Sequence, residues 1–397
     1  MRILQVFNRY VHMGGEEKSV DRIYRHLSEH HEMGRCFFES REWTGHNAPG
    51  RFEQFRRTLY NHESRRRFEL AIDRFKPDVA LFHNAFPVGS PSLYHAAHLR
   101  GLPIIHYIHN FRPFCVGGTL YSKGGFLEEA LSGDYRREVR TGAWQGSRLK
   151  SAIMAMVLRR LHRSGWLENV KAWVCISEFM RDKLVQHTGL PRGRFHALRH
   201  SWDALPVPVV SDDKGYYLFL ARLVEVKGVA ELLQAWRILR EKLGVNTPEL
   251  WIGGEGPLED MVRAEAARAG SHVHHLGLID GTRKTEVLRH CRAMLAPSLW
   301  WEPLGLVTYE AYDYRKPMLA AASGGLIETV VDGKTGLLHP PGNVNVLVDS
   351  VITLEAMSPQ ERAAMGEAGR AWLLQHTSVA DWQRHFSEIL SRSLPPS

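Results

Sequence analysis

The chain contains 397 residues, of which 44% are hydrophobic and 24% charged, and its formal net charge is +8. These values are ordinary for a soluble globular protein, and the length predicts two domains instead of one. No apolar run reaches the roughly 18 residues of a membrane span, and residues 1–7 are too short for a signal peptide, so we expect a cytoplasmic protein. The four cysteines are far apart and lack Cys-x-x-Cys spacing, which argues against a disulfide framework or a zinc site.

Charge is unevenly distributed along the chain. Residues 1–200 contain 32 Lys and Arg against 19 Asp and Glu, a net charge of +13, whereas the remainder has a net charge of −5. Basic regions bind nucleic acid, anionic membranes or phosphorylated ligands. Because no nucleic-acid-binding motif is present, we expect an anionic membrane surface or an anionic lipid-linked acceptor as partner, and no nucleic acid. Arg-rich amphipathic stretches at residues 41–76 and 136–171 are the candidate contacts, and a solvated helix face explains the first equally well.

The first half of the chain has the pattern of alternating strands and helices. Predicted strands lie at residues 2–7, 78–83, 103–109 and 172–176. Gly14 and Gly15 follow the first strand and begin a helix, where they allow a ligand to approach the backbone closely or simply form a tight turn. His109 ends the third strand, and Asn110 and Arg112 come directly after it. We expect residues 116–146 to form an irregular acceptor loop.

The second half begins after a proline-containing polar linker at residues 206–215. Predicted strands lie at residues 216–220, 250–253 and 273–276, and helices at 359–375 and 379–393. Arg222 and Lys227 follow the first of these strands and precede a helix, so two cations lie beside a helix N-terminus, which suits a diphosphate. The alternative is a pair of exposed surface charges. Leu278 comes just after the third strand.

The most informative stretch is residues 293–322, which has the pattern of a strand, a loop, a helix and a second strand. The loops of such a βαβ unit gather at the carboxyl ends of parallel strands, where ligands of α/β sheets bind. Glu302 lies in the loop and Glu310 on the helix, with seven residues between them. The N–H groups near Gly305, Leu306 and Val307 begin the helix and form a seat for phosphate.

The two glutamates then have distinct predicted partners. Glu302 can reach a neutral polar ligand such as a sugar, and Glu310 can accept hydrogen bonds from ribose hydroxyls. The alternative is that Glu302 is a carboxylate favoured by the helix dipole and Glu310 a solvated surface residue. A nucleoside diphosphate sugar would occupy the phosphate seat and both carboxylates.

Several motifs in the same order carry a resemblance to a known family. They are Glu302-x7-Glu310, Ser323-Gly324-Gly325, Glu328, Asp332-Gly333, Gly336, Gly14-Gly15-Glu16, His109, Ala221-Arg222-Leu223 and Lys227-Gly228. Together they resemble the retaining GT-B glycosyltransferases of family 4, glycosyl transferases group 1, over nearly the whole chain. The resemblance implies an α/β GT-B fold with two Rossmann-like domains facing each other across a cleft. Residues 1–205, completed by a terminal helix at 379–397, would bind the acceptor, and residues 206–378 the nucleotide sugar.

The resemblance also implies an activity and roles for individual residues. It implies a retaining hexosyltransferase of EC 2.4 type that moves a hexose from a UDP- or GDP-sugar to a hydroxyl of a glycan or lipid-linked acceptor, in cell-surface polysaccharide or glycolipid assembly. The implied catalytic residues are Glu302, His109, Arg222 and Lys227. The implied donor-binding residues are Gly15, Arg222, Lys227, Leu278, Gly305, Leu306, Val307 and Glu310, and those for the acceptor are Asn110 and Arg112.

Because no Asp-x-Asp pair lies in a suitable loop, we expect no divalent metal and no other cofactor. The leaving diphosphate would be neutralised by Arg222, Lys227 and the helix N-terminus. Retention can proceed by double displacement or by same-face attack, and the sequence does not decide between them, although the family favours the second. Glu302 would then position sugar hydroxyls.

Two alternatives share the predicted fold: a GT-B sugar-nucleotide epimerase, and a catalytically inactive GT-B protein that binds a lipid or a partner. The basic half would place the protein at the cytoplasmic face of a membrane, as a peripheral protein.

Overall fold

The computed structural model describes residues 1–11, 14–46, 48–206 and 213–394. The chain separates into two compact units, Met1–His200 with Val379–Ser397 and Ser201–Ser378. Most of the predicted linker, residues 207–212, lies outside the described residues. Within the described ranges, no helix is long and apolar enough to cross a membrane.

The first unit contains, among its described residues, a six-stranded parallel sheet in the order β2-β1-β3-β4-β7-β8. The strands are β1 (Arg2–Arg9), β2 (Glu32–Glu39), β3 (Val79–Phe82), β4 (Ile104–Ile108), β7 (Val170–Cys175) and β8 (Phe195–Ala197). The helices are α1 (Gly15–Ser28), α2 (Arg51–Leu59), α3 (His62–Phe75), α4 (Ser92–Leu99), α5 (Arg136–Thr141), α6 (Arg148–Arg163), α7 (Glu178–His187) and α15 (Val379–Ser393). Strands β3 and β4 are buried along their whole length, which explains their continuous apolar sequences.

Residues 116–146 are less irregular than expected. A two-stranded antiparallel ribbon, β5 (Tyr121–Ser122) with β6 (Gly125–Phe126), precedes helix α5. The buried Glu138 on α5 accepts hydrogen bonds from the backbone N–H groups of Val116 (2.9 Å) and Gly117 (3.0 Å). These bonds order the start of the segment, so the prediction of a wholly irregular loop was wrong.

The terminal helix α15 packs in the first unit. Trp382 is buried, its indole N–H donates to the Tyr107 hydroxyl at 3.1 Å, and its ring stacks on Phe386 at 5.2 Å. Gln383 donates to the carbonyl of His26 at 2.8 Å. Two buried aromatic side chains and two hydrogen bonds therefore attach α15 to α1 and β4.

In the part of the second unit that the structure describes, six parallel strands have the order β11-β10-β9-β12-β13-β14. They are β9 (Tyr216–Leu220), β10 (Glu249–Gly253), β11 (Val273–Gly277), β12 (Ala293–Ala296), β13 (Met318–Ala321) and β14 (Gly336–His339). The helices are α8 (Val229–Leu243), α9 (Glu259–Ala266), α10 (Gly281–His290), α11 (Leu306–Asp313), α12 (Leu326–Thr329), α13 (Val344–Ala356) and α14 (Pro359–His376). Both units are therefore Rossmann-like α/β domains, as the sequence predicted.

Candidate functional site

The strand order of the second unit reverses between β9 and β12, which are hydrogen-bonded neighbours. Ligands of open α/β sheets bind outside the carboxyl ends of the strands at such a reversal. Arg222 and Lys227 follow β9, and Glu302 follows β12. The topology therefore brings the loops with the predicted cations and carboxylate to one edge of the sheet.

Lys227, whose side chain is 21% exposed, and the buried Glu302 form an ion pair at this edge. The ammonium group of Lys227 contacts Oε1 of Glu302, and the same oxygen accepts hydrogen bonds from Oγ of Ser298 (2.7 Å) and Nε1 of Trp300 (2.9 Å). Burial alone would raise the pKa of Glu302, but the charge of Lys227 and these hydrogen bonds outweigh it and hold the pKa below its ordinary value. Glu302 is therefore a carboxylate at neutral pH.

Glycine at position 228 allows the two loops to meet. Gly228 has φ +72°, and a Cβ atom there would lie 1.9 Å from the carbonyl oxygen of Pro297. Two residues before Gly228, the carbonyl of Val226 accepts a hydrogen bond of 2.9 Å from the N–H of Leu299. The Lys227 loop and the Glu302 loop thus contact each other through their backbones, which fixes the geometry of the ion pair.

The Ser323-Gly324-Gly325 motif supports the Glu302 loop from its other side. Oγ of Ser323 donates to the carbonyl of Trp300 at 2.7 Å, and the N–H of Gly325 donates to the carbonyl of Glu302 at 2.6 Å. A Cβ atom at Gly324, which has φ +60°, would lie 2.3 Å from that same carbonyl oxygen. Glycine is required here because the two backbones are in contact.

Helix α11 begins directly after this loop. Gly305 has φ +84°, and the first-turn N–H groups at Leu306 and Val307 have no partner within the helix. Glu310, on the same helix, forms an ion pair of 2.7 Å with Lys284 of α10. The structure thus places Glu310 beside a cation that the sequence analysis did not identify.

The remaining predicted donor residues of this unit are exposed. Leu278 is exposed at the carboxyl end of β11. Arg222 is exposed, and its guanidinium has no hydrogen-bond or ion-pair partner within the described ranges. Those ranges also contain no group of three or more His, Cys, Asp or Glu residues that could hold a metal ion.

A small pocket in the first unit gathers the predicted acceptor residues. The strand order of this sheet reverses between β1 and β3, so the loops after these strands meet at the carboxyl edge. The residues that line the pocket include His109, Asn110 and Arg112, together with Glu16, His83 and Asn84. Gly15, a predicted donor contact, is the exposed first residue of α1 next to Glu16.

His109 belongs to a chain of buried histidines. Its Nε2 lies 2.8 Å from Nδ1 of His83, its Nδ1 lies 3.3 Å from Nε2 of His200, and His83 in turn contacts the side-chain amide of Gln5 at 3.0 Å. Burial lowers the pKa of His109 to about 3, so the ring is neutral. Because both ring nitrogens are engaged, a hydrogen bond from His109 to a sugar would require one of these bonds to be exchanged.

Sequence analysis missed four residues of these two sites. Glu16 belongs to the Gly14-Gly15-Glu16 motif but was given no role, and His83 ends a predicted strand as His109 does. The local sequence could therefore have identified both residues. His200 follows β8, and Lys284 lies 26 residues from Glu310, and neither has a spacing that reveals its partner.

The ion pair predicts a characteristic pH dependence of stability. At pH 7, Lys227→Met leaves the buried Glu302 carboxylate without its cation, and we expect the free energy of unfolding to fall by about 3–5 kcal/mol. Adding Glu302→Gln should recover much of this loss. In Lys227→Met, the burial of Glu302 is no longer opposed by the lysine charge and raises the pKa of that carboxyl, whereas in wild type the pKa lies below the ordinary value of 4.5. On acidification the variant is therefore protonated first, and the difference in stability between the two proteins should shrink from pH 7 towards pH 4.

Urea unfolding at several pH values measures these differences. Lys242→Met, which removes an exposed cation 4.0 Å from Asp349, is the matched control and should change stability by less than about 0.5 kcal/mol. A loss in Lys227→Met that stays constant from pH 7 to pH 4 would rule out the charge interaction as its cause.

Two family models match the chain. Residues 13–203 match the family Glycosyltransferase Family 4, and residues 202–372 match Glycosyl transferases group 1. A GDP-mannose-dependent alpha-(1-6)-phosphatidylinositol monomannoside mannosyltransferase of Mycolicibacterium smegmatis is 33% identical over 45% of this chain and 48% of its own length. A glycogen synthase of Mycobacterium tuberculosis is 27% identical over 61% of this chain and 58% of its own length. The chain thus spans about half the length of these relatives.

Solved structures with a similar fold cover the whole chain. Sucrose-phosphate synthase from Thermosynechococcus elongatus has a TM-score of 0.69 at 16% identity, with 99% of each chain covered. Anabaena HepE in complex with UDP has a TM-score of 0.67 at 16% identity, with 99% of this chain and 100% of that chain covered. These likenesses show the GT-B fold, and together the two family matches extend over residues 13–372. The chain belongs to the GT-B glycosyltransferases of family 4, group 1.

Proposed function

We propose that this protein transfers a hexose, with retention of configuration, from a UDP- or GDP-sugar to a hydroxyl of a glycan or lipid-linked acceptor. The observation that carries the proposal is the Lys227–Glu302 pair at the reversal of strand order, directly before the N-terminus of α11. The relatives support the donor class, since the mycolicibacterial enzyme is named as GDP-mannose-dependent and HepE was solved with UDP-glucose.

Neutralisation of the diphosphate is assigned to three features of the second unit. Arg222 offers an exposed guanidinium, Lys227 an ammonium that faces Glu302, and α11 the free N–H groups of its first turn. A leaving diphosphate gains negative charge as its bond to the sugar breaks, so fixed positive charge is worth more in the transition state than in the ground state. This arrangement supplies that charge from the protein, without a divalent metal or another cofactor.

Glu302 is assigned to the sugar and Glu310 to the ribose. The ion pair with Lys227 and the lowered pKa make the Glu302 carboxylate a weak nucleophile, which favours same-face attack over double displacement. In that route the acceptor oxygen forms its bond to the anomeric carbon while the bond to the phosphate oxygen breaks. The acceptor proton passes to the leaving phosphate.

Removing the free guanidinium tests the diphosphate assignment. Arg222→Ala should lower kcat/KM by about 10²- to 10⁴-fold, because charge stabilisation in the transition state is lost, while circular dichroism stays unchanged. Nucleotide release from a panel of UDP- and GDP-sugars, with and without acceptor, is the measurement. Lys242→Ala serves as the exposed-cation control, and EDTA should have little effect. Loss of activity on chelation, restored by Mn²⁺ or Mg²⁺, would refute metal independence.

The acceptor side is proposed to lie against an anionic membrane, in polysaccharide or glycolipid assembly. Helices α2 and α6 pack against each other. They expose three apolar side chains, Phe52 (77%), Leu149 (73%) and Met156 (46%). Exposed cations on the same helices include Arg51, Arg159, Arg160 and Arg163. Apolar insertion combined with basic charge gives reversible attachment to anionic lipid.

The run of arginines at residues 65–67 contributes less than its sequence suggested. Arg65 forms an ion pair with Glu69 and Arg67 with Glu42, each at 2.9 Å, and the guanidinium of Arg67 also lies over the Phe38 ring. Of this run, Arg66 alone is exposed without a described partner. The contact surface is therefore assigned to the α2 and α6 face.

A vesicle experiment separates the membrane assignment from a soluble acceptor. The protein should sediment with vesicles that contain phosphatidylserine but not with pure phosphatidylcholine, and about 0.5 M salt should release it. Leu149→Ser with Met156→Ser should weaken the association several-fold and spare nucleotide binding. Val245→Ser, which changes an apolar residue of the second unit that is 91% exposed, is the matched control. Failure of the wild-type protein to sediment with anionic vesicles at low salt would contradict the assignment of this surface to an anionic membrane.

A further inference from the structure

Glu16 has one satisfied and one unsatisfied carboxylate oxygen. Oε2 accepts hydrogen bonds from the Tyr10 hydroxyl at 3.1 Å and from Nδ2 of Asn110 at 2.9 Å. Oε1 is buried and has no hydrogen-bond partner among the described residues. A buried acceptor without a donor is costly, and folded proteins retain few of them. Oε1 therefore requires an explanation beyond the fold.

A donor without a partner lines the same pocket. The guanidinium of Arg112 lies 5.2 Å from the centre of the Trp144 ring. It also packs against Gly118, where an added Cβ atom would lie 3.2 Å from Nη2 of Arg112. Its Nε is buried and unpartnered within the described ranges. Arg112 is close enough to Glu16 to lower the pKa of that carboxyl, yet no ion pair joins the two. Two residues that line the pocket thus each hold a buried polar atom, one an acceptor and one a donor, without a partner among the described residues.

The first turn of α1 does not need a second carboxylate at position 16 to offset the helix dipole. The next residue, Glu17, is buried in an ion pair with Arg9 at 3.0 Å and already supplies negative charge to the first turn of α1. Burial raises the pKa of Glu16 to about 7 against the opposing effects of Tyr10, Arg112 and Asn110. A carboxylate with a raised pKa and one oxygen that the described residues leave without a donor is typical of a ligand site.

We propose that Oε1 of Glu16 and Nε of Arg112 bind two neighbouring oxygens of the acceptor, the vicinal diol of a sugar or cyclitol ring. One ring hydroxyl donates to Glu16, and the adjacent oxygen accepts from Arg112. Glu16 is then a specificity residue for the acceptor, separate from the donor residues of the second unit. The inference rests on the proposed transfer reaction for its biological meaning, but the binding it describes does not require turnover.

Glutamine at position 16 removes the acceptor without changing the shape of the side chain. Its amide oxygen would take the place of Oε2 to satisfy Tyr10 and Asn110, so an N–H donor would face the pocket where Oε1 now lies. We expect Glu16→Gln to raise the acceptor KM about 10- to 100-fold, as for loss of a charge-assisted hydrogen bond, and to leave the donor KM unchanged. Asp21→Asn removes an exposed carboxylate of the same helix and should change neither.

The pH profile gives a second readout that a purely structural role would not produce. The groups facing Glu16 are Tyr10, whose raised pKa keeps it neutral, Arg112, and Glu17, which is paired with Arg9. The pocket histidines His83, His106 and His109 have lowered pKa values and remain neutral near pH 7. Affinity for the acceptor should therefore rise with pH through about 7 in wild type, as Glu16 ionises, and stay flat in Glu16→Gln.

Binding without turnover separates this inference from the transfer reaction. Saturation-transfer NMR on the full chain uses methyl α-D-mannopyranoside and myo-inositol as sugar and cyclitol probes. A signal in wild type that is lost in Glu16→Gln supports the inference and identifies the ring class, even if no donor sugar is ever turned over. Equal signals in the two proteins, no signal from either probe in wild type, or normal transfer with an unchanged acceptor KM in Glu16→Gln would each overturn it.

Discussion

The contact between Lys227 and the buried Glu302 is the interaction on which the geometry of the donor-side loops depends. Removing two charges from water costs several kcal/mol for each ion, so a pair of this kind persists only where other groups complete its hydrogen bonds. Ser298 and Trp300 do so for Glu302, and glycines at 228 and 324 let the flanking backbones approach closely enough to hold it. The glycines and the two charges are thus parts of one arrangement.

The two units use the same topology to hold carboxylates in opposite states. In each sheet the strand order reverses, and a glutamate follows a strand at the reversal with a cation nearby. Glu302 has its cation in contact, its oxygen accepts several hydrogen bonds, and its pKa is lowered. Among the described residues, Glu16 has no ion pair and one of its oxygens has no donor, and its pKa is raised to about 7. The surroundings of each carboxylate, and not the residue type, therefore set the direction in which its pKa shifts.

Local sequence was sufficient for the central strands of both sheets, but not for the edge strands β2, β8 and β14 or for contacts between distant segments. The βαβ unit around Glu302 was predictable because buried parallel strands are continuous apolar runs, and β12 and β13 are buried throughout. The pairing of Glu310 with Lys284 and the engagement of both nitrogens of His109 were not predictable, since their partners come from other elements. The partial order of residues 116–146 was not predicted, because the hydrogen bonds from the N–H groups of Val116 and Gly117 to Glu138 join positions about twenty residues apart.

Calorimetry with free UDP and GDP tests most directly whether Glu310 binds the ribose and Glu302 the sugar. If Glu310 holds the ribose and Glu302 the sugar, Glu310→Ala should weaken the preferred nucleotide by about tenfold or more, as expected for a lost hydrogen bond to a charged group. Glu302→Gln should not weaken that affinity, because the free nucleotide carries no sugar for Glu302 to bind and Lys227 keeps its charge for the diphosphate. Equal loss of nucleotide affinity in the two variants would contradict the placement of the sugar at Glu302.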